Sequence, residues 1–141
     1  MTVENPSDPA APAVQITAGD YARSVHNTAM RSDFPAALAL SSASAMHAKG
    51  YPVQLMVRAP FPGRPTGVPS VRRVMPGQDP AEVIASLSDE GAVVTGVSGG
   101  GMMVALDRNG VAYVNLATAS GMEYHRCGQG LGLSALIDSR L

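Results

Sequence analysis

Three side chains near the C-terminus have the residue types of a catalytic or metal-binding group. Glu123, His125 and Cys127 alternate along the chain, so an extended backbone places all three on one side. A thiolate beside an imidazole is the minimum for nucleophilic catalysis, and the same residue types can ligate a metal. His125 and Cys127 are therefore the catalytic candidates of a small enzyme or ligand-binding protein that uses the segment from Gly121 to Gly132, which is glycine-rich and predicted to be irregular.

The rest of the sequence does not complete such a site. The other histidines, His26 and His47, fall on different predicted helices, and Cys127 is the single cysteine. A lone cysteine is more often a small buried apolar residue than a nucleophile. The sequence therefore predicts no metal site and no cofactor, and a non-enzymatic role is favoured over catalysis.

Two glycine-rich runs resemble pieces of phosphate-binding loops. The run from Gly96 to Gly101 precedes a predicted strand, whereas a phosphate-binding loop needs a following helix whose free amides converge on the anion. This run is predicted to be a hairpin connection. The run from Gly128 to Gly132 precedes a predicted helix, so a modest anion site at that helix start is the alternative.

Charge is unevenly distributed along the chain, although the formal net charge is only -1. No acidic residue lies between Asp33 and Asp79, an interval that holds half of the 10 Lys and Arg residues. Such a segment can receive phosphate, an acidic protein surface or nucleic acid, although a solvated face is the plainer interpretation. Nucleic acid is disfavoured because aromatic residues that could stack on bases are scarce. The arginines assigned to a protein or anionic partner are Arg58, Arg64, Arg72 and Arg73.

A proline-rich connector lies within this basic segment. Residues 59–70 contain four prolines and are predicted to form an exposed arm, because proline cannot pair in the middle of a sheet. A proline-stiffened arm loses little entropy on docking and would suit a contact with another subunit or partner. The spacing of Pro62 and Pro65 also fits a groove for polyproline II.

Residues 92–118 organise the chain as three predicted antiparallel strands. Asn109 and Gly110 lie between two apolar runs, which is typical of a two-residue type I′ turn. The resulting register places Val104 opposite Asn115 and makes both faces of the hairpin largely apolar. A hairpin with one wet face would instead alternate apolar and polar residues.

Two apolar faces both need cover, because monomers seldom expose large apolar patches. The predicted helices cover one face, and a second subunit would cover the other. The sequence therefore predicts a homo-oligomer, most simply a two-fold dimer, with Val104, Tyr113 and Asn115 at the contact. The favoured function is a non-enzymatic interaction or assembly module that self-associates and contacts a partner through its basic arm.

The remaining signals give an α+β fold in which helices flank an antiparallel sheet of about five strands, in the order ααββαβββα. Thr17 and Asp20 have the form of a capping box for a helix that ends near Arg31, and Asp79 followed by Pro80 begins a later helix. Residues 1–15 are expected to be a disordered tail and residues 16–141 a single domain. From about Asp33 onward the element order is similar to that of roadblock-like and profilin-like domains, an analogy of order alone.

Composition and the N-terminal sequence indicate the expected cellular location of this domain. Hydrophobic residues make up 45% of the chain, and no apolar run reaches the length of a membrane span. The N-terminus lacks a basic region followed by an apolar segment, so no signal peptide is expected. We therefore expect a cytoplasmic protein without a membrane partner.

Overall fold

A seven-stranded antiparallel sheet and four helices are formed by the residues that the computed structural model describes, which are 13–25, 33–128 and 131–141. The strands are β1 (Val14–Ile16), β2 (Val53–Phe61), β3 (Arg64–Val74), β4 (Val93–Gly99), β5 (Met102–Leu106), β6 (Ala112–Thr118) and β7 (Gly121–Gly128). The helices are α1 (Ala18–Val25), α2 (Ala36–Ala48), α3 (Pro80–Asp89) and α4 (Leu131–Arg140). The mixed α+β class is confirmed. The sheet is larger than the predicted five strands, and the element order is βααββαββββα.

The order of strands across the sheet is β1-β7-β6-β5-β4-β2-β3. Strands β4 to β7 form a meander, in which each strand pairs with the next along the chain. The β2–β3 hairpin joins this meander through pairing of β2 with β4, and β1 pairs with β7. Among the described residues the sheet therefore ends at β3 on one side and at β1 on the other.

The two strands missed from the sequence have different causes. Strand β1 is only 3 residues long, which is too short for a periodic apolar pattern, and it depends on hydrogen bonds to β7. Val14 and Gln15 belong to this strand although they were assigned to the tail, and residues 1–12 of that tail lie outside the described residues. Strand β7 occupies the start of the segment that was predicted to be irregular because of its glycines. A tight turn brings it back onto β6, with Thr118 opposite Gly121.

The proline-rich connector is not a free arm but part of the β2–β3 hairpin. Its turn consists of Pro62 and Gly63, which has a φ of 79°, and Phe61 pairs with Arg64 across it. Proline is tolerated in an edge strand because the missing N–H faces away from the sheet, and β3, which contains Pro65, is at the edge. The tip of this segment is exposed, as predicted, but residues 59–61 and 64–70 belong to paired strands rather than to an unpaired arm. Pro62 lies in the turn and Pro65 in β3, so they do not form the polyproline II segment considered as an alternative.

The two helix starts predicted from capping residues are confirmed. The N–H of Asp20 donates to Thr17 Oγ1 at 3.1 Å at the start of α1. The Asp79 carboxylate accepts from the N–H of Ala81 at 3.0 Å, with Pro80 as the first residue of α3. The predicted continuation of α1 to about residue 32 falls on residues 26–32, which lie outside the described residues.

One face of the sheet is covered by helices α2, α3 and α4 and forms the core. Its β-strand side chains are almost all aliphatic and buried, and include Val53, Leu55, Val57, Val74, Val97, Met102, Val104, Leu106, Val114 and Leu116. The helices contribute Ala39, Ala43, Met46, Ile84, Leu87, Leu133, Leu136 and Ile137 to the same cluster. The small residues of α2 let it lie close to β4. We call this the helix-covered face.

The β5–β6 hairpin closes differently from the prediction. The N–H of Gly110 donates to the carbonyl of Asp107 at 3.1 Å, and the N–H of Asp107 donates to the carbonyl of Val111 at 3.0 Å. The connection is therefore a three-residue loop with Gly110, at φ 80°, in the left-handed region. This is the pattern of a type I turn followed by a bulge, not of a type I′ turn.

The longer loop moves β6 by one residue relative to the predicted register. Val104 pairs with Val114 rather than with Asn115, and Asn115 pairs with Met103. A shift of one residue moves every side chain of a strand to the other face. Met102, Val104, Leu106, Val114 and Leu116 thus share the helix-covered face, so the predicted assignment of residues to the two faces is wrong. The other face of the hairpin still contains the buried Ala105 and Tyr113, in agreement with the prediction that both faces are largely apolar.

Candidate interaction face

The face of the sheet opposite the helix-covered face is where surface groups collect. Because residues alternate along a strand, Gln54, Met56 and Arg58 point away from the buried Val53 and Leu55. The registers align one row of residues on this side across all seven strands: Arg73, Gln54, Ser98, Met103, Asn115, Tyr124 and Ile16. We call this side of the sheet the open face.

Helix α1 covers one end of the open face. The ring of Tyr21 lies edge-on to Tyr113 with centroids 6.5 Å apart and against Tyr124 at 4.9 Å. The Asn115 amide nitrogen donates to the Tyr21 hydroxyl at 3.2 Å. Burial raises the pKa of Tyr21, so the phenol stays neutral and available for this bond.

These contacts change the interpretation of the three residues predicted at a subunit contact. Tyr113 and Asn115 already have partners within the chain, on α1. Val104 lies on the helix-covered face and is 0% exposed. None of the three therefore has an unoccupied surface for another subunit, and the physical reason is the one-residue shift of β6.

Two arginines of the predicted basic patch form ion pairs. Arg58 donates to Asp33 at 2.6 Å. Arg72 donates through both guanidinium nitrogens to Glu90, each at 2.8 Å. The hydrogen bond from Arg72 lowers the pKa of the Glu90 carboxyl. Neither guanidinium presents an uncompensated charge to a partner.

The other two arginines, Arg64 and Arg73, have no ion pair with any part of the chain that the structure describes. They stand at opposite ends of β3, about 30 Å apart if the strand is fully extended. The predicted patch is therefore two separate cationic positions. Arg64 lies at the tip of the β2–β3 hairpin, beside a Phe61 ring that is 56% exposed.

Arg73 borders a groove of about 510 Å³ at one end of the open face. The groove is bounded by Gln54, Ser98, Met75 and Met103, by Gly99 at the end of β4, and by the β4–β5 turn at residues 100–101. Neither Gln54 nor Ser98 makes a side-chain hydrogen bond within the described residues. We call this feature the turn groove.

The run from Gly96 to Gly101 belongs to a hairpin, as predicted, but only residues 100–101 form the connection, because residues 96–99 are the end of β4. Strand β5 follows the turn directly. Gly100 has a φ of 62°, and a Cβ at that position would lie 2.9 Å from Leu141 Cδ2 and 3.0 Å from the Tyr51 ring. Close packing explains this glycine without any bound phosphate. The second glycine run includes residues 129–130, outside the described residues, so an anion site there remains a prediction.

The catalytic candidates share one side of β7, as the alternation predicted, but they do not act on each other. His125, which is 5% exposed, has its Nε2 3.2 Å from Glu123 Oε1, and Arg140 on α4 binds the same oxygen at 2.9 Å. Cys127 is fully buried, and this burial raises the pKa of its thiol to about 12. The thiol is thus protonated and inaccessible, whereas nucleophilic catalysis needs a thiolate.

Metal-binding geometry is also missing from the described part of the chain. No group of three or more His, Cys, Asp or Glu side chains converges there. The carboxylate of Glu123 is occupied by His125 and Arg140.

None of the described helices is both long and apolar enough to cross a membrane.

Apart from Arg73 and the glycine run, the residues around the turn groove were not singled out in the sequence. Gln54, Met56 and Arg58 alternate with three aliphatic residues, and this alternation could have assigned them to a surface face of β2. Ser98 and Met103 gave no such signal, because their positions beside Gln54 depend on the order of the strands.

Comparisons of the chain with protein-family models, with curated proteins and with solved structures give no match.

Proposed function

We propose that the chain is a non-enzymatic interaction module that self-associates through the free edge of its sheet. The observation that carries this proposal is strand β3. It is 11 residues long and ends the described sheet, and its central Val71 is 51% exposed although it is large and apolar. An exposed edge strand is a template for pairing with another chain.

The positions of the prolines indicate which backbone groups of β3 are free. Proline fits an edge strand where its nitrogen faces outward, so Pro69 turns its backbone groups away from β2. Alternate residues share this direction, and Val71 and Arg73 therefore turn their N–H and C=O groups outward as well. The first half of β3 is protected by Pro65 and Pro69, whereas residues 70–74 contain no proline.

A two-fold axis at Val71 provides partners for all of these groups except the C=O of Arg73, which would face the nitrogen of Pro69 in the second chain. Antiparallel pairing of two β3 strands about this point places Val71 opposite its copy and Arg73 opposite Pro69. The N–H groups of Val71 and Arg73 then donate to carbonyls of the second chain, and Pro69 has no donor left without a partner. The two Arg73 side chains fall on opposite sides of the axis, so like charges do not meet.

In this arrangement two of the four predicted arginines, Arg64 and Arg73, keep a role in binding a partner. Pairing through β3 joins the open faces of two copies side by side. Arg73 lies on that joined face, and Arg64 lies at each hairpin tip. A protein or anionic partner would meet these two positions, since Arg58 and Arg72 are neutralised by Asp33 and Glu90.

Sedimentation velocity of the purified chain at micromolar and higher concentrations tests the pairing. We expect a dimer for the natural sequence and a monomer for Val71→Lys, since like charges directly opposite each other on paired strands are destabilising. The matched control is Met122→Lys, because Met122 is 49% exposed and lies on β7, far from β3. The control should remain dimeric.

Circular dichroism of each variant verifies that it is folded. A natural chain that is monomeric at every concentration would overturn the proposal. Equal dissociation of the Val71 and Met122 variants would also overturn it, because the contact would then lie away from β3.

A further inference from the structure

We propose that the turn groove binds the C-terminal carboxylate of an extended peptide whose last residue is apolar. The site includes the side chain of Arg73 on the edge strand β3, but all of its lining residues belong to one chain, so it does not depend on dimerisation. The inference rests on an uncompensated cation, two unused hydrogen-bonding side chains and two methionines that border one groove.

The cation is Arg73. Its neighbour Arg72 is saturated by both oxygens of Glu90, which shows that carboxylates of this chain do reach β3 from the helix-covered side. No described carboxylate reaches the open side at Arg73, and none borders the turn groove. A planar guanidinium with all its donors free suits a carboxylate, which it can bind through two parallel hydrogen bonds.

The polar side chains stand beside this cation in strand order. Arg73 is opposite Gln54, and Gln54 is opposite Ser98. With strands about 4.8 Å apart, the three residues form a row about 10 Å wide. An amide and a hydroxyl both donate and accept, so Gln54 and Ser98 match the N–H and C=O groups of the peptide unit that precedes a terminal carboxylate.

The apolar part of the site is formed by Met75 and Met103. Methionine is unbranched and polarisable, and it adapts to side chains of different shape. The volume of about 510 Å³ is in the range of ordinary ligand sites. The groove lies along the sheet surface and is not enclosed, so a main chain can continue out of it.

These features favour a peptide end over the other carriers of negative charge. A phosphate group is usually held by several donors of positive charge or by helix N-termini, whereas this groove has Arg73 alone. A long-chain acid would need an enclosed apolar cavity. A carboxylate next to a peptide unit and an apolar side chain uses every group that borders the groove.

Methyl NMR of the full chain with ¹³C-labelled methionine tests the site. The probe is acetyl-Ala-Ala-Leu with a free terminal carboxylate, titrated to millimolar concentration. We expect the signals of Met75 and Met103 to shift, while that of Met122, exposed at the other end of the sheet, stays in place. Each signal is assigned with a Met→Leu variant.

Two matched changes isolate the charge. The same peptide as a C-terminal amide is expected to bind about tenfold more weakly, and Arg73→Gln should weaken the acid by a similar factor, as expected for a hydrogen bond between charged groups. Arg108→Gln is the control, because Arg108 is also an exposed arginine but lies in the β5–β6 loop, away from the turn groove. It should leave binding unchanged.

Several results would overturn the inference. One is no shift with the acid peptide, and another is equal binding of the acid and the amide. Equal losses from Arg73→Gln and Arg108→Gln would show a general charge effect. Hexanoate or inorganic phosphate that bound at least as tightly as the peptide would assign the groove to a small anion.

Discussion

Met103 and Asn115 lie directly opposite each other on β5 and β6. This pair decides which side chains form the core, because it puts Met102 and Val104 on the helix-covered face together with Val114. The cause is the loop that joins the strands, where Asp107 Oδ1 accepts from the N–H groups of Asn109 at 2.8 Å and Val111 at 3.0 Å. A side chain that binds two backbone donors stabilises the three-residue loop and so fixes the register.

Gly110 is the residue that this loop requires. At φ 80° any residue with a Cβ is strained, so Gly110→Ala is expected to lower the free energy of unfolding by about 1 kcal/mol. Urea denaturation measures the change. Gly77→Ala is the control, because no atom lies within 4 Å of the added Cβ and its φ is outside the left-handed region. Equal stability of the two variants would show that the loop has a different conformation.

The cap of α3 is predicted to contribute to stability. Asp79→Ala removes the acceptor for the Ala81 N–H and should cost about 1 kcal/mol. Asp89→Ala serves as the comparison, since Asp89 is the last residue of the same helix, where a carboxylate opposes the helix dipole. That variant should be as stable as the natural chain or slightly more so. An unchanged urea midpoint for Asp79→Ala would contradict the cap.

Cys127 should not react with thiol reagents in the folded protein. Its thiol is fully buried, and a pKa of about 12 leaves almost no thiolate at pH 8. We expect a thiol reagent such as Ellman's reagent to react only after unfolding in urea. Rapid stoichiometric reaction of the folded chain would restore Cys127 as a candidate nucleophile.

The same raised pKa predicts a dependence of stability on pH. The folded chain holds the thiol proton up to about pH 12, whereas the unfolded chain releases it near 9. The contribution to stability is therefore complete below pH 9 and is lost as pH rises, by about 1.4 kcal/mol per pH unit. Cys127→Ala should lack this slope, while the titration of Tyr21 affects both proteins equally. Parallel pH profiles would contradict the prediction.

The ion pair between Arg72 and Glu90 provides a charge-reversal test. Arg72→Glu places two carboxylates beside each other and should lower the urea midpoint slightly, and Glu90→Arg in the same chain should restore it. The effect should shrink at high salt because both groups are exposed. Arg73→Glu, at a position without an ion pair, should leave the midpoint unchanged. A loss that Glu90→Arg did not reverse would refute the pair.

The sequence alone determined the local features of this protein. The capping box at Thr17, the start of α3 at Asp79 and the strands around residues 92–118 were all readable, because each depends on residues a few positions apart. The alternation of Glu123, His125 and Cys127 also correctly placed them on one side of an extended backbone. Whether that side faces solvent or the core depends on tertiary contacts, which the local sequence does not show.

Only the tertiary structure decided the surfaces. The three-residue loop at Gly110, in place of a two-residue loop, put Asn115 on the face opposite Val104. The position of β3 at the sheet edge allowed prolines within a paired strand. The strand order brought Arg73, Gln54 and Ser98 into one row from segments far apart in the chain. Such relationships depend on long-range hydrogen bonding and burial, which no short window of sequence contains.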